Sequence, residues 1–408
     1  MWRNPDFSRL WAAATISIFG TLVTRTALPF TAILVLHASP LQVALLTAAE
    51  LLPGLVLGLL AGVWVDRLHR RPILIAADVG RAILLSSIPL AALLGMLRIE
   101  QLYLVAFLVG TLSVFFDVAY QSYLPSLVRR EELIRANSTL AASASVAESS
   151  AFAVGGWLVQ WLTAPLAILL DSLTFLGSAL LIAQIRRPED EPVKPERRES
   201  VRQELLDGAR VVLRDPILRS IGTSVVAMEL TLGVGGAVFL LFVTRELGFQ
   251  PGVLGLIFAV GGVSSFIGAL AAGPAARRLG IGPAMIAGLV LHGLGMLLAP
   301  LAQGAAILAA GFLVLQQLVA DGAATVFDIH QVSLRQTVAP APLLGRANAS
   351  IRFAALAASL LGVLIGGVLA ESIGLRATLI LAALVQILAA LSLMLSPLRA
   401  VRDGGSMA

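Results

Sequence analysis

The sequence predicts an all-α integral membrane protein whose twelve transmembrane helices form two pseudo-symmetric, parallel repeats of six. Three observations support this fold class. Of the 408 residues, 58% are hydrophobic and 13% are charged, whereas soluble domains average about 45–50% and about 25%. Most of the twelve apolar runs are long enough to cross a bilayer, and the second half of the chain repeats the first. An ordinary water-soluble domain is therefore excluded.

Each apolar run ends at a proline, a glycine or a cluster of charges. About 20 residues cross the roughly 30 Å of hydrocarbon, because an α-helix rises about 1.5 Å per residue. The first run is longer than the apolar core of a signal peptide, so we assign it as a span. The predicted spans are 8–36, 41–64, 73–97, 101–124, 137–161, 165–185, 216–244, 251–276, 283–303, 305–333, 348–370 and 375–396.

The arginines predict which side of the membrane each loop faces. With a cytoplasmic N-terminus, most basic residues fall in cytoplasmic loops, and the outer loops hold only Arg98, Arg245 and Arg376. Positively charged loops stay inside the cell, so we expect a cell-membrane protein with both termini in the cytoplasm. The net charge of +5 reflects this topology and gives no support to nucleic-acid binding.

The two halves are an internal duplication with a constant offset of 211 residues and no gap. Chance matches explain scattered leucines, but not prolines, glycines, aspartates and asparagines at one fixed offset. The matched pairs include Pro5 with Pro216, Asp117 with Asp328, and Asn137 with Asn348. Because each half has an even number of spans, both halves have the same orientation, which predicts an axis along the membrane normal.

Charge and proline content divide the chain into four parts. We predict an N-terminal six-helix half over 1–185, a cytoplasmic linker over 186–214, a C-terminal six-helix half over 215–398 and a cytoplasmic tail over 399–408. The second part of the linker, Glu199–Leu213, is predicted to be an amphipathic surface helix.

Four motifs give the chain a resemblance to a known family. They are Asn4-Pro5-Asp6-Phe7, Gly62-Val63-Trp64-Val65-Asp66-Arg67-Leu68-His69-Arg70-Arg71-Pro72, Phe116-Asp117-Val118-Ala119-Tyr120-Gln121-Ser122-Tyr123-Leu124-Pro125 and Leu344-Gly345-Arg346-Ala347-Asn348. With them the chain resembles the major facilitator superfamily, and in particular its bacterial drug-efflux, macrolide-efflux and siderophore-exporter branch. The resemblance covers nearly the whole chain. It implies two six-helix halves that rock around a shared site near the membrane midplane.

The second motif implies a gate at the cytoplasmic surface. In the superfamily this cluster latches the gate, so the resemblance assigns that role to Gly62, Asp66, Arg67, Arg70 and Arg71. Asp66 lies at a predicted helix end among the arginines, where it can pair with them or with another helix terminus. The alternative is that these arginines only set the topology.

Charged residues inside the spans are the candidates for a functional site. An ionised side chain in the hydrocarbon region costs at least about 2.5–3.5 kcal/mol, so each one needs a partner or a water-filled cavity. Helical spacing groups polar side chains into one stripe on the fourth span and one on the tenth, namely Asp117, Tyr120 and Gln121, and Gln317, Asp321, Thr325 and Asp328.

The resemblance also implies where a substrate binds. In the superfamily the first, fourth, seventh and tenth helices line the central cavity, and here they carry Arg25, Asp117, Tyr120, Gln121, Glu229, Gln317, Asp321 and Asp328. Asp117 and Asp328 are repeat mates, so we expect equivalent positions for them. The alternative is that such charges form structural pairs, for instance Arg25 with Glu50.

Proton coupling is expected to rest on carboxylates of the N-terminal half. Removal from water favours the neutral form of a carboxylate, which suits it to exchanging protons. The candidates are Glu50, Asp117 and Glu148. The chain departs from proton-coupled drug exporters at two places: Ala151-Phe152 stands where they have Gly-Pro, and Thr21 stands where many have an acidic residue.

Other polar and small residues in the spans are predicted to be structural. Asp78 and Arg81, three residues apart, suit an ion pair, and Asp171 suits a cap or an interhelical hydrogen bond. Small residues let helices approach closely in a membrane, which predicts packing contacts at Gly58, Gly155, Gly156, Gly366 and Gly367.

Enzyme chemistry has little support in the sequence. The four histidines lack metal-ligand spacing, and there are no cysteines. A phosphate-binding loop is impossible because the only lysine, Lys194, follows a valine. We expect no enzymatic activity, no cofactor and no metal site.

The leading functional hypothesis is secondary active transport. We expect a monomer in the lipid bilayer that exports an amphipathic small molecule, such as a drug, macrolide or siderophore, by proton antiport and alternating access. An importer of the same fold for a small solute is the first alternative. A non-transporting membrane receptor or scaffold is the second, although the linker is too short to hold a signalling domain.

Overall fold

A computed structural model of the protein describes residues 4–65, 67–187, 189, 201–403 and 406–407. Over these ranges the chain is almost entirely helical. The first half contains six helices: α1 (Pro5–Phe30), α2 (Pro40–Val65), α3 (Arg70–Leu93), α4 (Ile99–Leu127), α5 (Leu133–Leu162) and α6 (Ala164–Ala183). A π-helical turn, Thr31–Val35, extends α1.

The second half begins with a short amphipathic helix and continues with the same series of long helices. These are α7 (Val201–Arg214), α8 (Pro216–Leu241), α9 (Pro251–Leu279), α10 (Ile281–Met296), α11 (Leu298–Leu301), α12 (Ala306–Val338), α13 (Leu344–Ile373) and α14 (Leu375–Ser392). A π-helical turn, Phe242–Glu246, extends α8. Near the C-terminus, β1 (Val401–Asp403) pairs antiparallel with β2 (Ser406–Met407).

Eleven helical segments of the described chain are long and apolar enough to cross a membrane, with α10 and α11 counted as one. The remaining long helix, α5, has 30 residues, which at about 1.5 Å per residue is ample to span a bilayer. It is more polar than the others, because Arg135, Asn137 and several serines lie in its first half. With α5, each half has six membrane helices.

The duplication extends to helix ends and caps. The π-helical turns Thr31–Val35 and Phe242–Glu246 occupy matching positions in the two halves. The Asn4 side chain accepts hydrogen bonds from the backbone N–H groups of Asp6 and Phe7, at 3.0 and 3.4 Å. Its repeat mate Asp215 caps α8 in the same way. An N-cap side chain followed by proline therefore starts both halves.

Two chain corners also repeat, with different residues. Thr163, between α5 and α6, has a φ of 84°, and its mate Gly374 has a φ of 89°. His37, before α2, has a φ of 52°, and its mate Gly248 has a φ of 68°. Positive φ costs little for glycine and more for residues with a Cβ. The second half therefore has glycine, which adopts positive φ readily, at both corners.

The chain divides into two compact units, Met1–Arg198 with Gln250–Leu256, and Glu199–Phe249 with Ile257–Ala408. Each has its own apolar core. In the first unit the core includes Phe7, Leu74, Phe116, Tyr123 and Ile182. In the second it includes Ile221, Met285, Phe327, Leu334 and Leu398.

Helix α7 packs against the first turns of α13 in the second unit. Asp207 forms an ion pair with Arg346 at 3.2 Å, and the Ser350 hydroxyl donates to the Leu205 carbonyl at 2.9 Å. Gly208 lies so close to the Arg346 carbonyl that a Cβ would collide with it. The predicted linker helix, Glu199–Leu213, therefore corresponds to α7, with Glu199 and Ser200 outside the described residues.

Candidate functional site

A buried ion pair lies in the interior of the first half. Asp78 and Arg81 are one turn apart on α3, and Arg81 Nη2 donates a hydrogen bond to Asp78 Oδ1. The two side chains are 0% and 2% exposed. The guanidinium lies between the rings of Phe116 of α4 and Phe175 of α6, 4.4 and 4.2 Å from their centroids. Cation–π contacts and the ion pair thus offset the cost of burying this charge.

Asp171 of α6 is the second buried charge of this region. It accepts hydrogen bonds from the hydroxyls of Thr24 on α1 and Thr174 on its own helix. A Cβ at Gly20 would collide with the Asp171 carboxylate, so glycine at this position lets α1 approach α6. The carboxylate thus forms the interhelical hydrogen bond predicted as one of its two structural roles, and it lies within electrostatic reach of Arg81.

Asp117 lies at the edge of the same network and differs from it in exposure. Its carboxylate is within electrostatic reach of Arg81, yet the residue is exposed, as is Gln121 one turn further along α4. Tyr120 is half-buried and stacks on Phe116, with ring centroids 6.2 Å apart. On a membrane-spanning helix, an ionised carboxylate is more stable in contact with water than in contact with lipid. Its exposure distinguishes Asp117 from the buried carboxylates of Asp78 and Asp171.

The other two carboxylates considered for proton coupling have different surroundings. Glu50 Oε1 of α2 accepts from Arg25 Nε of α1 at 3.0 Å. The structure thus brings Arg25 and Glu50 together as an ion pair, which was the structural alternative for both. The side chain of Glu148 lies outside the part of the chain that is described.

The second half places its predicted residues in two groups. On α12, Gln317 Nε2 donates to Asp321 Oδ2 at 3.1 Å, and both contact the surface of α9 where Gly261 leaves room. Asp328, two turns further on, is exposed like its repeat mate Asp117. Glu229 of α8 is half-buried and interacts electrostatically with Asp328.

The buried charges of the first half have no equivalents in the second. The repeat mates of Asp78, Arg81 and Asp171 are Leu289, His292 and Ala382. His292 is buried, and its Nδ1 lies 3.1 Å from the Ala320 carbonyl. The fold is duplicated, but the ion pair with its neighbouring carboxylates belongs to the first half.

The predicted gate residues bind the ends of neighbouring helices. Arg71 donates through Nε and Nη2 to the carbonyls of Ile182 and Ala183, at the C-terminal end of α6. The backbone N–H groups of Arg70 and Arg71, at the N-terminus of α3, donate to the Glu189 carboxylate at 2.8–3.1 Å. Arg67 is exposed, and Asp66 lies outside the described residues.

The packing contact predicted for Gly58 of α2 is not found among the described residues. Among the described residues, nothing lies within 4 Å of a Cβ built at Gly58 or Gly62. The reason is that this part of α2 is uncovered: Val56, Leu60 and Trp64 are all more than 40% exposed.

Of the other four glycines predicted to pack, three lie against other helices and the fourth is buried. Gly155 lies against Thr26 and Val23 of α1, and Gly156 against the Pro251 carbonyl in the same unit. In the second half, Gly366 of α13 packs against the backbone of Val234 on α8, and Gly367 is buried. Small residues thus bring α1 close to α5, and α8 close to α13.

The N-terminal motif connects several helix ends. Asn4 Nδ2 donates to the Leu127 carbonyl at the end of α4, at 2.8 Å. The Asp6 carboxylate accepts from the backbone N–H groups of Arg186 and Arg187, which follow α6. Sequence reasoning missed these contacts and the Glu189 cap, because no local pattern shows a contact more than 100 residues away.

No metal site is found in the part of the chain that the structure describes. Nowhere there do three or more histidine, aspartate or glutamate side chains converge as ligands. What the geometry offers instead is a set of charged, amide and aromatic groups on membrane-spanning helices, some buried and some exposed.

Comparison with known proteins decides the family. The profile of a family described as transmembrane secretion effector matches residues 2–407. The chain belongs to this family of the major facilitator superfamily. The resemblance to the major facilitator superfamily that the sequence predicts is thereby confirmed. The protein is a multi-pass membrane transporter of a small-molecule substrate.

Individual relatives of the chain support this assignment to the family. It is 26% identical over 380 residues to the MFS-type transporter YfiS of Bacillus subtilis, covering 92% of this chain and 89% of that one. It is 27% identical over 384 residues to the multidrug efflux pump Tap of Mycolicibacterium fortuitum, covering 92% and 91%. It spans about two thirds of y4rN of Sinorhizobium fredii, with 29% identity over 269 residues and 65% of each chain.

Solved structures agree on the fold. A bacterial homologue of the iron transporter ferroportin, in its inward-facing state, matches with a TM-score of 0.77 and 20% identity over 95% of this chain and 98% of that one. The nucleoside transporter NupG matches with a TM-score of 0.77 and 15% identity over 96% and 98%. These matches confirm the twelve-helix, two-repeat prediction. The relatives and neighbours are transporters, so the prediction that the chain is not an enzyme is also confirmed.

Proposed function

We propose that this transporter exports an amphipathic small molecule in exchange for protons, by alternating access. The observation that carries the proposal is the exposure of Asp117 and Asp328. They are repeat mates on membrane-spanning helices, and both are exposed. Carboxylates in such places are costly to insert, which favours a role for them in binding or coupling.

The surroundings of Asp117 favour a substrate with a positive charge and an apolar body. The carboxylate offers a partner for a cation, Gln121 offers an amide, and the half-buried ring of Tyr120 offers an aromatic surface. Aromatic faces attract cations and bury apolar groups at the same time. The multidrug efflux pump Tap is among the relatives, which agrees with this substrate class.

Exchange follows when one carboxylate binds either a proton or the substrate. With Asp117 ionised, a cationic substrate binds; with Asp117 protonated, the substrate is released. Arg81 lies close enough to interact with Asp117, so protonation also changes the charge balance around the Asp78–Arg81 pair. Glu50 suits this role less, because Arg25 already binds it.

The proposal includes a location and a gate. The transporter would act as a monomer in the inner or plasma membrane, with both termini in the cytoplasm. On that side, Arg71 joins the end of α6 to the beginning of α3. Such a contact favours movement of these helices as one body, which a rocking mechanism requires.

The direction of transport is tested in membrane vesicles of known orientation. Inverted vesicles with an acidic interior, offered a panel of cationic dyes, macrolides and siderophores, are expected to accumulate at least one compound. Collapse of the pH gradient should abolish the accumulation. Uptake confined to right-side-out vesicles would overturn export and indicate an importer of the same fold.

A further inference from the structure

A cavity opens at the cytoplasmic end of the first half. It has a volume of about 880 Å³ and lies between the first turns of α3 and the residues that follow α6. Its basic lining consists of His69, Arg71, Arg186 and Arg187. A second cavity of about 540 Å³ shares Arg71 and Arg186 with it and adds Arg9.

One wall of the larger cavity is apolar. It consists of Pro72, Ile75, Ala76 and Val79, which lie on one face of α3. The same face continues along the helix as an exposed apolar stripe, with Ile83 66% exposed and Leu90 60% exposed. On a membrane-spanning helix such a stripe faces lipid chains. The cavity is thus open towards the membrane and the cytoplasm together.

The described acidic groups near the cavity, Glu189 and Asp6, are already engaged. The Glu189 carboxylate accepts from the N–H groups of Arg70 and Arg71, and its Oε2 lies 3.3 Å from His69 Nδ1. It therefore neutralises the N-terminus of α3. Asp6 accepts from two backbone N–H groups and pairs with Arg9 at 3.0 Å.

In the contacts among the described residues, the arginines leave donors for a further ligand. Arg71 uses Nε and Nη2 for the carbonyls of α6, and Arg187 uses Nη1 for the Leu127 carbonyl at 3.1 Å. Arg186 and Arg187 are both exposed. Among the described lining residues, three arginines and one capping carboxylate carry a net positive charge, and guanidinium groups bind phosphate oxygens well.

We propose that this cavity binds a membrane phospholipid with an anionic headgroup. The phosphodiester would lie among Arg71, Arg186 and Arg187, and an acyl chain would lie along the exposed stripe of α3. A soluble phosphate fits the arginines but makes no use of the apolar wall. An anionic lipid fits both the arginines and the apolar wall. Basic pockets at the cytoplasmic side of membrane helices attract anionic headgroups.

The test is equilibrium lipid binding to the purified full-length chain in detergent, measured by native mass spectrometry. The probes are phosphatidylglycerol and phosphatidylcholine with the same acyl chains, and sn-glycerol 3-phosphate as the soluble arm. Wild type is expected to prefer phosphatidylglycerol. Arg186→Gln should weaken that binding about fivefold, as expected for one arginine near an anionic surface, and Arg186→Lys should retain most of it.

Arg278→Gln is the matched control, because Arg278 is exposed at the end of α9 and does not line the cavity. It should bind phosphatidylglycerol like the wild type. Equal affinity for the two lipids, or unchanged binding by Arg186→Gln, would overturn the proposal. So would displacement of the lipid by sn-glycerol 3-phosphate at equal concentration, which would identify a soluble phosphate as the ligand. None of these outcomes depends on the transported substrate.

Discussion

Arg81 shows how single residues determine the interior of the first half. Its guanidinium pairs with Asp78, stacks between Phe116 and Phe175, and interacts with Asp117 and Asp171. One cation thus holds together groups from α3, α4 and α6. Spacing along the sequence predicts the pair with Asp78, since both lie on one face of a helix. It does not predict the two rings, which come from other helices.

Removing Arg81 is expected to destabilise the protein strongly. In Arg81→Met, Asp78 is left buried without its partner, which should lower the free energy of unfolding by about 3–5 kcal/mol. The double variant Asp78→Leu/Arg81→Met should recover part of this loss, because Asp78 is no longer buried without its partner, whereas Asp171 still lacks the nearby cation. Chemical or thermal unfolding in detergent measures both.

The control for this prediction is a second ion pair with the same spacing, whose arginine is exposed instead of buried. Arg210 and Asp207 also lie three residues apart, at 2.8 Å, but the arginine is 64% exposed. Arg210→Met should therefore change stability by less than about 1 kcal/mol. Equal stability of Arg81→Met and wild type would contradict the structural role of the buried pair.

At the scale of elements, the helices are largely predictable from the sequence. Prolines at the first turn and the caps Asn4 and Asp215 give the starts of α1 and α8. Helix α3 departs from its predicted span of 73–97. It begins earlier, at Arg70, because Glu189 supplies a distant cap, and it ends earlier, at Leu93, before Gly95 with a φ of 66°.

The corner between α5 and α6 gives a prediction about backbone strain. Thr163 has φ 84° and ψ 155°, a region that is nearly restricted to glycine and costs other residues about 1–3 kcal/mol. Thr163→Gly should relieve this strain. Allowing about 0.5–1 kcal/mol for the freedom of glycine in the unfolded chain, we expect a net stabilisation of about 1 kcal/mol.

The same substitution in regular helix should act in the opposite direction. Thr139 lies within α5, where glycine is less favourable than threonine, so Thr139→Gly is expected to lower stability by about 0.3 kcal/mol. Unfolding of both variants in detergent tests the pair. A destabilised Thr163→Gly would show that the corner is not strained.

At the scale of the whole molecule, fold and family are predictable, and only part of the site is. Composition, span length and the duplication determine the fold class, because lipid restricts the structures that can cross it. The polar stripes of α4 and α12 are predicted by helical spacing. The surroundings of each charge are not: Glu50 is paired with Arg25, whereas Asp117 is exposed and within electrostatic reach of Arg81, and nothing in their local sequence distinguishes them.

The central claim is that Asp117 exchanges a proton for the substrate. Asp117→Asn removes the titratable group and keeps the size of the side chain, so it should stop coupled transport and leave membrane insertion intact. Glu100→Gln is the matched control, since Glu100 is an exposed carboxylate in the first turn of the same helix. It should transport like the wild type.

The most direct measurement follows luminal pH in inverted vesicles with an acidic interior, while a compound that they accumulate is added. The account predicts that luminal pH rises with wild type and with Glu100→Gln, because protons leave as substrate enters. With Asp117→Asn, neither substrate accumulation nor the rise in luminal pH should occur. Accumulation without proton movement in wild type, or a wild-type response from Asp117→Asn, would contradict it.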